Sequence, residues 1–95
     1  MLTHIVVWKY KSETTAQERE EHLAKLRNLP SIIPNIISFN IGFDVLHLER
    51  SYDTGLCAVF PDREALDAYT IHPTHQEVAR LGKRIAAHVA SVDFF

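Results

Sequence analysis

Residues 2–10, LTHIVVWKY, alternate with a period of two and are rich in β-branched and aromatic side chains, which predicts a strand. The alternation puts His4, Val6, Trp8 and Tyr10 on one face and Thr3, Ile5, Val7 and Lys9 on the other. Both faces are apolar through the middle. The pattern then changes period. Thr15 and Glu18 form a capping box that opens a helix running to about Leu29, with acidic residues crowding its first half and Lys25 and Arg27 near its end. Its expected buried stripe is Ala16, Leu23, Leu26 and Pro30, with His22 at the margin as a partly buried edge residue.

Pro30 and Pro34 frame an irregular connection. A second strand is expected over Ile36–Val45, where Ile37, Phe39, Ile41 and Phe43 alternate with Ser38, Asn40 and Gly42. Residues 44–53, DVLHLERSYD, read as a surface loop in which His47 is solvated. A third strand follows at Gly55–Phe60, with Leu56, Ala58 and Phe60 opposite Cys57 and Val59. Cys57 has no basic neighbour to activate it and reads as a small packed hydrophobe.

The segment from Pro61 to Val78, PDREALDAYTIHPTHQEV, gathers the candidate chemistry. Asp62 caps a short helix, and Pro73 forces the chain out of helical geometry near Ile71 and His72. Thr74 and Glu77 read as another capping box, so the next helix is expected to begin at His75 and to run to about Val89. Its apolar stripe is Val78, Leu81, Gly82, Ile85 and Val89, with His88 at the edge, and Ser91–Phe95 closes the chain as a short strand. Tyr69 thus ends one helix and His75 starts the next. A helix N-terminus disfavours imidazolium, so His75 is the neutral form that a general base requires. Tyr69 can orient it or hydrogen-bond a developing enolate oxygen, and His4 points from the first strand toward the same space.

The order βαβ–βα(α)β predicts an α+β fold, a ferredoxin-like sandwich with helices on one face of a four-stranded antiparallel sheet. With 95 residues it is read as a single domain, 1–95. No helix remains to cover the far face of Ile5, Val7, Cys57 and Val59, so a homodimer packing sheet on sheet is expected. A formal charge of −2 carries no footprint for nucleic acid, and no apolar run is long enough to span a bilayer. The lone cysteine and the absence of room for a signal peptide before the first strand point to the cytoplasm. His4, His72 and His75 offer three nitrogens to a metal, with Asp67 and Asp93 as possible carboxylates. Pro73 breaks the helix that would align them, and no glycine-rich phosphate loop is legible, so neither metal nor cofactor is expected.

The opening THIVVWKYK, the segment YDTGLCAVFPDREALDAY, the H-P-T-H corner and the closing SVDFF resemble the stress-responsive A/B barrel (Dabb) family over essentially the whole chain. The resemblance implies a dimeric α+β barrel with a cavity between the sheet and helices of each subunit. A plant polyketide cyclase belongs to the family and closes a linear chain by aldol condensation. Matched by position, its catalytic tyrosine falls on Tyr69 and its catalytic histidine on His75, a pocket histidine on His4 and the other corner histidine on His72. Its aromatic positions on the first helix fall on His22, Leu23 and Leu26. Cavity lining is therefore expected from His72, Val6, Trp8, Leu23, Leu26, Leu56 and Ala58. Two functions fit: a barrel that binds a small apolar or aromatic molecule without catalysis, and a cofactor-independent cyclase-like enzyme with His75 as base.

Overall fold

Alternating, largely β-branched residues form the central strand β1 (Leu2–Tyr10) of the computed structural model, which describes Met1–Phe95. It is followed by α1 (Ala16–Ile32), β2 (Ser38–Phe43), β3 (Thr54–Phe60), α2 (Arg63–Ile71), α3 (Pro73–Ile85) and β4 (Ala86–Phe94). The four strands make one antiparallel sheet in the order β2-β3-β1-β4, with the helices on one face, as the ferredoxin-like reading expects. β1 is paired along both edges, His4 lying opposite Ala58 on β3 and Asp93 on β4. That register fixes the faces, because cross-strand partners share a side. The inner face carries Trp8, Tyr10, Leu56, Ala58 and Phe60, all buried beneath the helices. The outer face carries Ile5, Val7, Cys57 and Val59, joined by Val92 and Phe94, which are 53% and 47% exposed. Cys57 is accordingly open on that face and not packed in a core.

Several element boundaries differ from the sequence reading: β2 is shorter, Ser38–Phe43 in place of Ile36–Val45, and the larger departures are at α1, α3 and β4. α1 runs through Pro30 to Ile32, because Ile33 still donates its N–H to the Leu29 carbonyl at 2.9 Å. The helix therefore turns its His22–Leu26–Leu29 side inward, while Ala16 and Pro30 are exposed. α3 begins at Pro73, not His75. Proline suits the first helical position, and the preceding His72 is the cap, its Nδ1 accepting the Thr74 N–H at 3.1 Å. Thr74 is not the cap, and no capping box forms with Glu77. The helix also stops earlier, at Ile85, whose carbonyl is held by the Lys11 N–H at 2.9 Å and the Thr14 hydroxyl at 2.8 Å. Ala86–Val89 then pair with β1, so the alanine-rich run becomes strand and His88 faces outward opposite Lys9. Tertiary pairing along an open sheet edge outweighs the local helical preference of AAH.

The expected caps at the other two helices are present. Thr15 accepts the Glu18 N–H at 3.1 Å while Glu18 accepts the Thr15 N–H at 2.9 Å, and Asp62 accepts the Ala65 N–H at 2.9 Å. Thr15→Ala should lower stability by about 0.5–2 kcal/mol in denaturant titrations, whereas Thr74→Ala should stay within about 0.5 kcal/mol of the unmodified protein.

Candidate functional site

A cavity of about 330 Å³ lies between the inner sheet face and α3. Its wall includes His4, Val6 and Trp8 from β1, His22 and Leu26 from α1, Leu56 from β3, Tyr69 and Thr70 from α2 and His75 from α3. Trp8, His22, Leu26, Leu56 and Tyr69 are buried, while Thr70, Lys83, Val89 and Ser91 are exposed and mark the mouth beside β4. Val6, Trp8, Leu26 and Leu56 border this space. His72 does not, because its ring is used in capping α3. Leu23 and Ala58 are also absent from the wall: Leu23 borders a separate shallow depression on α1, and Ala58 is wholly enclosed in the core.

The helix–Pro–helix corner brings Tyr69 and His75 together as stacked rings, 4.3 Å between centroids and tilted by 44°. The two are not hydrogen-bonded to each other. His75 Nδ1 instead meets the Thr70 carbonyl at 3.0 Å. A carbonyl only accepts, so Nδ1 carries the proton and the neutral ring keeps its lone pair on Nε2. Burial pulls the His75 pKa below its ordinary value; the Thr70 carbonyl opposes this, and His4 and His72 reinforce it. The Tyr69 ring is 1% exposed and packs against Phe60 at 5.1 Å. Burial raises its phenol pKa strongly, so the hydroxyl is a donor and not a base.

His4 stands edge-on to Tyr69 at 6.1 Å, and its Nδ1 is bonded to the Asp93 carboxylate, its cross-strand neighbour on β4. The carboxylate fixes the imidazole's orientation and leaves Nε2 as the free nitrogen. Asp67 plays no part here; it pairs with Arg63 at 3.0 Å along α2. No set of three or more His, Cys, Asp or Glu side chains converges with metal-ligating geometry.

His22 is the residue that the sequence reading misplaced. It is fully buried, with Nδ1 bonded to the Tyr10 hydroxyl at 2.7 Å and the ring edge-on to Trp8 at 5.0 Å. Its Nε2 has no hydrogen-bond partner, a deficit of about 1–3 kcal/mol for a buried polar atom. The signal was present in the spacing His22–Leu26–Leu29–Ile33, but it is continuous only if the helix is carried past Pro30. Burial pushes the His22 pKa from 6.5 down to about 4. The unfolded chain therefore takes up this proton first, so the stability is fully present above pH 6.5 and is lost as pH falls toward 4. Denaturant midpoints across that window should decline, by up to about 3 kcal/mol of stability from this group, and His22→Phe should flatten the decline.

The family model of the stress responsive A/B barrel domain matches residues 2–95. Olivetolic acid cyclase of Cannabis sativa is 34% identical over 74 residues, covering 76% of this chain and 73% of the cyclase. A stress-response A/B barrel domain-containing protein of Arabidopsis thaliana is 29% identical across 96% of this chain and 82% of its own length. Among solved structures, a dimeric ferredoxin-like protein of unknown function from Jannaschia sp. superposes with a TM-score of 0.84 at 28% identity, covering 99% of this chain and 97% of that one. A hydroxynitrile lyase from Passiflora edulis shares the fold, with a TM-score of 0.87 at 18% identity over 98% of this chain and 90% of its own. With a family match over nearly its whole length and the βαββααβ sheet that accompanies it, this chain belongs to the stress-responsive A/B barrel domain family.

Proposed function

We propose that the chain is one subunit of a homodimeric barrel that takes a small, largely apolar or aromatic molecule into the cavity between sheet and helices, and that His75 acts there as a general base on an enolisable substrate. The observation that carries this is the locked tautomer of His75. With Nδ1–H committed to the Thr70 carbonyl, the unprotonated Nε2 is the nitrogen left for the cavity, and the lowered pKa keeps it free near neutral pH. In a polyketide-like substrate, Nε2 removes a proton from a carbon flanked by carbonyls. The electron pair moves to the carbonyl oxygen, and the Tyr69 hydroxyl donates to the resulting enolate. The enolate carbon then attacks a second carbonyl of the same chain, and the new alkoxide takes the proton back from the imidazolium. His4, held by Asp93, is the second polar group within reach of that chemistry. The similarity to olivetolic acid cyclase supports an aldol-type cyclisation. No metal or other cofactor enters the scheme.

A non-catalytic binding barrel is the second reading. It is favoured by the stacked, unbonded arrangement of Tyr69 and His75, which serves packing as well as catalysis. Deuterium exchange into the central carbon of acetylacetone, followed by NMR, separates the two. The enzyme reading expects accelerated exchange that His75→Ala lowers by about 10²–10⁴-fold and Tyr69→Phe by less. The rate should be flat near neutral pH and fall only in a range below the ordinary imidazole value, because protonation of His75, whose pKa is lowered by burial, removes the base. Exchange no faster than buffer, alongside ligand-induced change in Trp8 fluorescence, would leave the binding barrel.

For the dimer, the outer face of Ile5, Val7, Val59, Val92 and Phe94 is the surface to be covered. The dimeric state of the Jannaschia relative supports this pairing. Light scattering should give twice the chain mass at micromolar concentration, and Val7→Lys should dissociate or aggregate the protein by placing an unpaired charge in the interface. A monomer mass for the unmodified protein would refute the assignment.

A further inference from the structure

The cavity's deep end departs from the apolar character of the rest. Three observations meet there. His22 Nε2 is fully buried without a partner. The indole Nε1–H of Trp8, always a donor, also faces Gly82, and the Trp8 ring stands edge-on to His22 at 5.0 Å. Both nitrogens crowd the α-carbon of Gly82: a β-carbon there would sit 2.8 Å from His22 Nε2 and 3.1 Å from Trp8 Nε1. Only glycine lets α3 lie this close while leaving the two rings in place.

The hydrogen-bond chain behind His22 decides what its free nitrogen offers. Thr54 is 1% exposed, and its hydroxyl meets only the Tyr10 hydroxyl, at 2.8 Å. For the Thr54 proton to find an acceptor, Thr54 must donate to Tyr10. Tyr10 must then donate to His22 Nδ1, at 2.7 Å. Nδ1 is consequently the lone-pair nitrogen, and the neutral ring carries its proton on Nε2. Two neutral N–H donors therefore face Gly82, and the protein supplies no partner to that of His22.

We propose that His22 Nε2–H and Trp8 Nε1–H form a specificity pocket for an uncharged carbonyl oxygen of the ligand, at the floor of the cavity. The one lysine of the cavity wall, Lys83, is exposed at the mouth, whereas His22 and Trp8 present two neutral donors at the buried end, so an uncharged carbonyl is favoured there over a carboxylate, whose charge would be costly to bury. The pocket rests on the ligand-binding reading given above and adds to it the chemical class of the ligand's inner end: a ketone, ester or amide in place of a plain hydrocarbon tail. His22 and Trp8 are binding residues in this assignment, remote from the proton transfer at His75.

The test compares acetophenone with α-methylstyrene, which has the same shape but a methylene in place of the oxygen. Trp8 is the only tryptophan, so its indole N–H gives one resonance. Titration should show acetophenone binding about tenfold more tightly, consistent with one to two net hydrogen bonds. Acetophenone should move the indole N–H resonance downfield, and α-methylstyrene should not. In His22→Phe the preference should fall to about twofold or less, while Tyr69→Phe should keep it. Nitrogen-15 spectra of the unliganded protein give a reading that does not depend on any variant folding: His22 should be the Nε2-protonated tautomer. An Nδ1-protonated His22 overturns the assignment, as does equal affinity for the two probes. A preference that survives His22→Phe and disappears in Tyr69→Phe places the oxygen at Tyr69 and overturns it as well. If neither probe binds, the ligand-binding reading itself fails and this inference falls with it; equal binding removes only the carbonyl pocket.

Discussion

β1 is hydrogen-bonded on both edges, and this double pairing governs everything built above it. A strand held by β3 on one side and β4 on the other cannot slip by one residue without exchanging its two faces. His4, Val6, Trp8 and Tyr10 are thereby committed to the helical side, and Ile5 and Val7 to the side that no helix covers. The strand is central in space although it is first in sequence, which makes it the common wall of the core and the cavity. Its inner residues pass from a histidine at one end to a tyrosine at the other. Each polar group is served by a neighbour that the fold supplies: Asp93 for His4, and His22 and Thr54 for Tyr10.

The cavity exists because α3 covers this wall incompletely toward β4. Ile85 is the point at which helix turns to strand, and its carbonyl is held twice, by Lys11 and Thr14. Those two bonds tie the end of the third helix to the end of the first strand. The chain then returns along β1 as β4, bringing Asp93 beside His4 and placing Val89 and Ser91 at the cavity mouth. The polar groups of the cavity are thus segregated. His75, Tyr69 and His4 cluster about the helix–Pro–helix corner, and Trp8 and His22 about Gly82. The same wall carries apolar surface from Val6, Leu26, Leu56 and Val78.

The two histidines with lowered pKa values have different causes for being neutral and different consequences. His22 is enclosed without any charged partner, so desolvation alone acts on it, and its proton position follows from the Tyr10–Thr54 chain. His75 is only partly enclosed, and a backbone carbonyl opposes the desolvation while fixing which nitrogen is protonated. Opposite tautomers result: a donor at the floor and an acceptor at the corner. One residue type serves two roles because the backbone or side-chain group on Nδ1 differs.

Much of this was legible in the sequence because it depends on local periodicity. Period-two alternation set the faces of β1 and β3, the Thr15 and Asp62 caps set two helix starts, and Pro73 set the corner that joins Tyr69 to His75. The uncovered apolar face also followed from counting helices against strand faces. What the sequence could not decide were features in which distant segments compete with local preference. The helical pattern of AAH gave way to pairing with β1, and Thr74 lost the cap to a histidine whose ring turned back on its own helix. His22 lay hidden for the same reason, since its burial depends on α1 continuing beyond Pro30 and on Gly82 admitting α3. His4 and Asp93 are 89 positions apart, and only sheet register makes them neighbours. Sequence thus determined the elements and their faces, through short-range sterics and alternation. Tertiary structure decided which polar atoms meet and which are left free, because hydrogen bonds between remote residues exist only once the strands have paired.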